Sequence, residues 1–136
     1  MSLEVNLEKL ERFAAKIWRR HSKEDPLSQL SFNEYDYLKV IQLSPKPIRM
    51  TDLAAKLEVT KPSVSTMTKR LERKGLVARI PCPEDGRAQR LVLTEQAKHH
   101  LGTEAVVYGA MAKQLGEKLS EEETAFLNVL LNKALK

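Results

Sequence analysis

The sequence predicts a mainly α-helical chain with one small β-hairpin. Apolar residues recur at spacings of three and four between capping signals over most of its length. The period shortens to two only on either side of a segment rich in turn formers, residues 81–89. With 136 residues, the chain falls in the single-domain range and can bury a core. Aromatics make up only 5%, so that core must be built from Leu, Val, Ile, Ala and Met.

Leu3, Leu7, Leu10, Ala14 and Ile17 form one apolar stripe on a first helix running to about His21. Ser22 to Leu30, with Asp25-Pro26, reads as a loop. Ser31 with Glu34 three residues later is a capping box, opening a helix from Phe32 to about Leu43. Pro45 and Pro47 end it, and Ile48-Arg49 has the length for a very short strand. Thr51 is placed to cap a helix from Asp52 to Leu57, and Glu58-Val59 makes a tight connection. Thr60 caps the next helix, which tolerates Pro62 in its first turn and ends at Gly75. Leu76–Ile80 and Arg90–Leu93 form the hairpin. Thr94 caps a long helix, to about Lys118, striped by Ala97, Leu101, Ala105, Tyr108, Met111 and Leu115. Ser120 and Glu123 are a second capping box, opening a last helix to about Leu135.

Charge is unevenly placed. Residues 1–45 balance to zero and residues 95–136 to −1, whereas residues 46–94 carry +6, more than the chain's net +5. Such a block is either a solvated basic face or a footprint for phosphates. The pattern of two short helices, a tight turn and a hairpin favours phosphates, because it describes a winged helix-turn-helix. A helix fits the major groove of duplex DNA, and a neighbouring ribbon can follow the backbone or enter the minor groove. On the helix after Thr60, Val64, Met67, Thr68 and Leu71 share the side expected to face the core. The other side carries Pro62, Thr66, Lys69 and Arg73, flanked by Lys61, Ser63, Ser65 and Arg70. Small hydroxyls permit close approach, and the cations suit phosphates or guanine edges. Arg87, at the hairpin tip, is placed to reach a narrow minor groove.

Residues Val59 to Val77 (VTKPSVSTMTKRLERKGLV) resemble the recognition helix of MarR-family transcriptional regulators. Asp85-Gly86-Arg87, followed by Arg90 to Thr94 (RLVLT), is similar to that family's wing with its Asp-x-Arg signature. The departure is Ala97, where many members have Gly. The resemblance implies one MarR-like domain over residues 1–136, with the winged helix-turn-helix at 31–94 and helical dimerisation parts at 1–30 and 95–136. It further implies a homodimer on a palindromic operator, usually a repressor, often relieved by a small phenolic or similar ligand. Trp18, His21, Tyr35 and Tyr37 are the candidate lining of such a ligand pocket, set against ordinary core or boundary roles. Apolar residues of the first helix and of Phe126–Leu135 exceed what a reading head needs, which fits self-association.

Other chemistries find little support. Cys82 reads as an exposed, inert thiol between two prolines, with oxidation sensing as the alternative. His99 and His100 are adjacent on a helix and point about 100° apart, so they cannot chelate together as an i, i+4 pair can. There is no nucleophile–base pair, metal cluster or phosphate-cradling loop, so neither an enzyme nor a cofactor is expected. One cysteine, no secretory signal at the start and no run near the roughly 20 apolar residues of a membrane span fit a cytoplasmic protein. The competing expectation is a winged-helix module that binds an acidic protein through its basic face. Such a module should expose larger apolar groups on the reading helix.

Overall fold

The computed structural model of the protein describes residues 2–22 and 30–136. The loop expected over Ser22–Leu30 lies almost wholly outside the described residues. In chain order the elements are α1 (Leu3–Ser22), α2 (Phe32–Leu43), β1 (Ile48–Arg49), α3 (Met50–Leu57), α4 (Lys61–Arg73), β2 (Val77–Pro81), β3 (Gln89–Leu93), α5 (Glu95–Gly116) and α6 (Glu121–Ala134). The predicted class, mainly helical with a small antiparallel sheet, is the class observed.

Residues 26–103 form one compact unit. Its sheet has the order β1-β3-β2, all pairs antiparallel, with Ile48 opposite Leu91 and Val77 opposite Leu93. Tyr37, Leu38, Leu53, Val64, Leu71, Leu76 and Leu91 fill the space between sheet and helices. Each large aliphatic side chain buried there contributes about 1.5–3 kcal/mol. Caps set the helix starts. The Ser31 and Glu34 side chains exchange hydrogen bonds with each other's backbone N–H. Thr94 accepts the N–H of Ala97 and donates its hydroxyl to the carbonyl of Gly75, fixing α5 to the end of α4.

One start differs from expectation. α3 begins at Met50 with Arg49 in the capping position and no side-chain cap, so Thr51 lies inside the first turn. The cause is β1: its extended backbone runs through Arg49 straight into the helix, leaving no residue for a separate cap. The connection to α4 turns at Glu58, which adopts a left-handed conformation with φ 56°.

Residues 1–25 and 104–136 form a second compact unit. Ile17 and Val107 are buried within it, and Trp18 meets Tyr108 edge-on with ring centroids 5.4 Å apart. The stripe expected along α5 is corrected here. Burial follows Ala97, Leu101, Glu104 and Val107, while Ala105, Tyr108 and Leu115 stay exposed. α5 carries two apolar lines that diverge after Leu101, and the 3.6 period alone does not choose between them. Much of the remaining apolar surface has no cover in the single chain: Leu3 is 71% exposed on α1 and Phe126 65% on α6.

Candidate nucleic-acid interface

The α4 helix starts at Thr60, whose hydroxyl oxygen accepts the N–H of Ser63. Pro62 sits in the first turn, where its missing N–H forfeits no helical bond. The helix ends at Lys74, and Gly75 takes a φ of +74° that lets the chain turn into β2. Val64, Met67, Thr68 and Leu71 are buried as expected, which fixes the opposite face outward. Lys61, Pro62, Ser63, Thr66, Lys69, Arg70 and Arg73 are exposed there, and Ser65 is half-buried at the edge. A groove of about 400 Å³ runs between α2 and this helix, lined by Asn33, Tyr37, Pro62, Thr66, Met67 and Arg70.

The basic block of residues 46–94 separates into two sets. Arg49, Lys74, Arg79 and Arg90 are each held by a carboxylate. Lys46, Lys56, Lys61, Lys69, Arg70, Arg73 and Arg87 make no ion pair among the described residues, so their charge is open to a partner. All of these but Lys46 and Lys56 belong to the candidate site. Arg87 stands on the exposed tip between β2 and β3, where its N–H donates to the Asp85 carboxylate at 3.0 Å. Nothing lies within 4 Å of where a Cβ would stand on Gly86, so the tip is open on that side.

Beneath the tip is a cluster that sequence reasoning missed. Cys82, expected as an exposed thiol, is only 2% exposed. The Arg90 Nε donates to its sulfur at 3.4 Å and the Arg49 Nη2 at 3.8 Å. The Cys82 N–H bonds to the Ala88 carbonyl, folding the loop back over the side chain. The Arg90 guanidinium, then the backbone N–H of Glu84, push the thiol down to about 7 against the effect of burial. The Glu84 carboxylate receives Arg49 at 2.7 Å and Arg90 at 3.7 Å. The cluster follows from the register of the sheet, which the sequence does not show: Arg49 and Arg90 face each other across β1 and β3, and like charges so placed need an anion between them.

The other candidates divide between the two units. Trp18 and His21 lie in the unit of residues 1–25 and 104–136, and Tyr35 and Tyr37 in that of 26–103. Tyr37 is a core residue, 2% exposed, and burial followed by the Asp36 charge raises its phenol pKa. Trp18, His21 and Tyr35 are half-buried. The rings of His99 and His100 are 6.0 Å apart, and no cluster of potential metal ligands occurs among the described residues. No helix among them is long and apolar enough to cross a membrane.

A family model described as the MarR family matches residues 28–88, which span α2 to the wing tip. The fold is similar over nearly the whole chain to several solved structures. FabT of Streptococcus pneumoniae, in complex with DNA, is 23% identical with a TM-score of 0.77, covering 97% of this chain and 93% of that one. The MepR–DNA complex of S. aureus is 22% identical with a TM-score of 0.72, covering 99% and 97%. A MarR-like transcriptional regulator of Thermotoga maritima is 27% identical with a TM-score of 0.72, covering 99% and 95%. Residues 28–88 thus match the MarR family, and along nearly its whole length the chain shares the fold of MarR-like transcriptional regulators.

Proposed function

We propose that this chain is a homodimeric, sequence-specific regulator that binds duplex DNA and represses transcription from a palindromic operator. The observation that carries the proposal is the outward face of α4. It presents Ser63, Thr66, Lys69, Arg70 and Arg73 to solvent, Arg87 stands exposed on the wing tip, and no ion pair holds these cations among the described residues. No large apolar side chain stands exposed on that face, as it would on a helix built to dock on protein. α4 would lie in the major groove, with Lys61, Pro62, Ser63, Ser65 and Thr66 near base edges or phosphates and Lys69, Arg70 and Arg73 on the backbone. Arg87 would reach the flanking minor groove.

The pairing of two chains is supported by the uncovered apolar residues, Leu3, Leu7 and Leu10 on α1 and Phe126, Val129 and Leu130 on α6. In this proposal residues 31–94 are the reading head and the flanking helices the dimerisation part. A small phenolic or similar effector completes it, with Trp18, His21 and Tyr35 as the residues that keep side-chain surface for contact.

Titrating random duplex DNA at several salt concentrations tests the proposal. Binding should weaken steeply with salt, because each neutralised phosphate releases counterions. Affinity indifferent to salt would exclude the regulator. Enriching bound fragments from random DNA should then return a two-fold symmetric site, with half-sites about one helical turn apart.

A further inference from the structure

We infer that Glu84, an acidic residue in the most basic part of the chain, is a positioning residue for DNA binding. The inference rests on the DNA-binding function proposed above. The register of the sheet is its starting point. Arg49 on β1 stands directly opposite Arg90 on β3, so pairing the strands forces two guanidinium groups together. One Glu84 oxygen, Oε2, accepts a hydrogen bond from Arg49 at 2.7 Å and forms an ion pair with Arg90 at 3.7 Å. Arg90 is held further by the Pro47 carbonyl at 3.0 Å. The root of the wing is thereby attached to β1 and to the chain before it, some 35 residues away in sequence.

The attachment extends to the tip. Glu84 is followed by Asp85, whose side chain accepts the Arg87 N–H and whose carbonyl accepts the Ala88 N–H. Ala88 in turn accepts from Cys82. Anchoring Glu84 therefore anchors the turn from which Arg87 projects. Glu84 itself is 71% exposed and fills no part of the core, so its pairing orders the wing without supporting the fold at large.

Two effects predict opposite signs for removing this charge. If Glu84 acts only through its field, Glu84→Gln deletes a repulsion against phosphate and DNA binding tightens. If it positions the wing, binding weakens because Arg87 samples more orientations before docking. Measured on the full chain with a labelled duplex enriched from random DNA, Glu84→Gln should weaken binding roughly threefold to tenfold. The slope of log affinity against log salt should stay unchanged, since no phosphate contact is lost. Arg87→Ala should also matter less in the Glu84→Gln background than in the parent. Binding equal to or tighter than the parent's overturns the inference, as does a salt slope reduced by about one.

The exchanged pair Arg49→Glu with Glu84→Arg covers the event that Glu84→Gln unfolds. Recovered affinity together with recovered hydrogen-exchange protection of the Arg87 N–H, relative to Arg49→Glu alone, supports positioning, and no recovery of that protection overturns it. A parent chain that binds no duplex in a salt-dependent way fails the DNA-binding function instead, and the two failures are thus told apart.

Discussion

The Lys74 ammonium lies 2.5 Å from the Glu34 carboxylate, joining the last turn of the reading helix to the first turn of α2 across 40 residues of sequence. Glu34 is almost fully buried and also closes the capping box with Ser31. Burial alone would raise its pKa, but Lys74 and Ser31 outweigh burial and hold it below the ordinary carboxylate value. One carboxylate thus starts one helix and orients another.

Lys74→Met should therefore destabilise the protein by about 1–2 kcal/mol at neutral pH. That is less than the ~3–5 kcal/mol of a fully buried pair, because Lys74 is half exposed. A carboxyl with a depressed pKa in the folded state adds stability above its unfolded pKa of about 4, and that stability is lost as pH falls through the folded value. Urea midpoints at fixed protein concentration should consequently converge for parent and variant as the pH drops towards 3. A gap that persists in acid would show that the pair is not its source.

Thr68 should tolerate, and gain from, loss of its hydroxyl. Its Oγ1 is buried in the core of the reading head with no hydrogen-bond partner among the described residues. Thr68→Val keeps the shape and removes the unpaired group, so stability should rise by about 1 kcal/mol. Chemical denaturation checks this as a higher midpoint at unchanged slope.

Gly75 holds the turn from α4 into β2 at a φ of +74°. A Cβ there would meet only the flexible end of Gln96, 3.2 Å away, so the backbone sets the penalty. Gly75→Ala should cost about 1 kcal/mol, read as a fall in thermal midpoint.

Arg87→Ala should weaken DNA binding by about 1–3 kcal/mol. If Arg87 holds phosphate, the loss will be similar on all sequences and the salt slope will shrink by about 0.9. If it reads a base edge, the loss will concentrate on the preferred site. Unchanged binding would remove Arg87 from the interface.

Cys82 gives the wing a second response to pH. Its thiol is pushed down to about 7 in the folded chain by Arg90. The unfolded thiol titrates near 8.5, so the thiolate's contribution is complete above that value and is lost as pH falls through 7. The stability difference between the parent and Cys82→Ser should widen between pH 7 and 9, and a constant difference would contradict the ionised cluster.

Much of this was written locally, and what was local could be read. Ser31, Thr60 and Ser120 each precede their helix by one residue, and their hydroxyls do cap it. The buried line Val64, Met67, Thr68 and Leu71 follows from helical period alone, and it leaves the basic face outward. Thr51 misled because capping propensity was outweighed by a strand that runs directly into α3. Cys82 misled because flanking prolines suggest an open loop, whereas the arginines enclosing it come from another strand and from the far side of the hairpin. Glu84 was invisible for the same reason: its meaning depends on the register that sets Arg49 opposite Arg90.

The strand order also governs when the reading head can assemble. β3 is the last strand made and yet the central one, the sole partner of both β1 and β2. Until Leu93 is available, Ile48 and Val77 have no ladder to join, and α3 and α4 pack against an unfinished floor. Joining β1 to β3 closes a long loop, the most non-local pairing of the sheet, and so limits the rate at which the reading head forms. Changes at Leu91, which faces Ile48 on one side and Arg79 on the other, should slow folding more than equally costly changes within the helices.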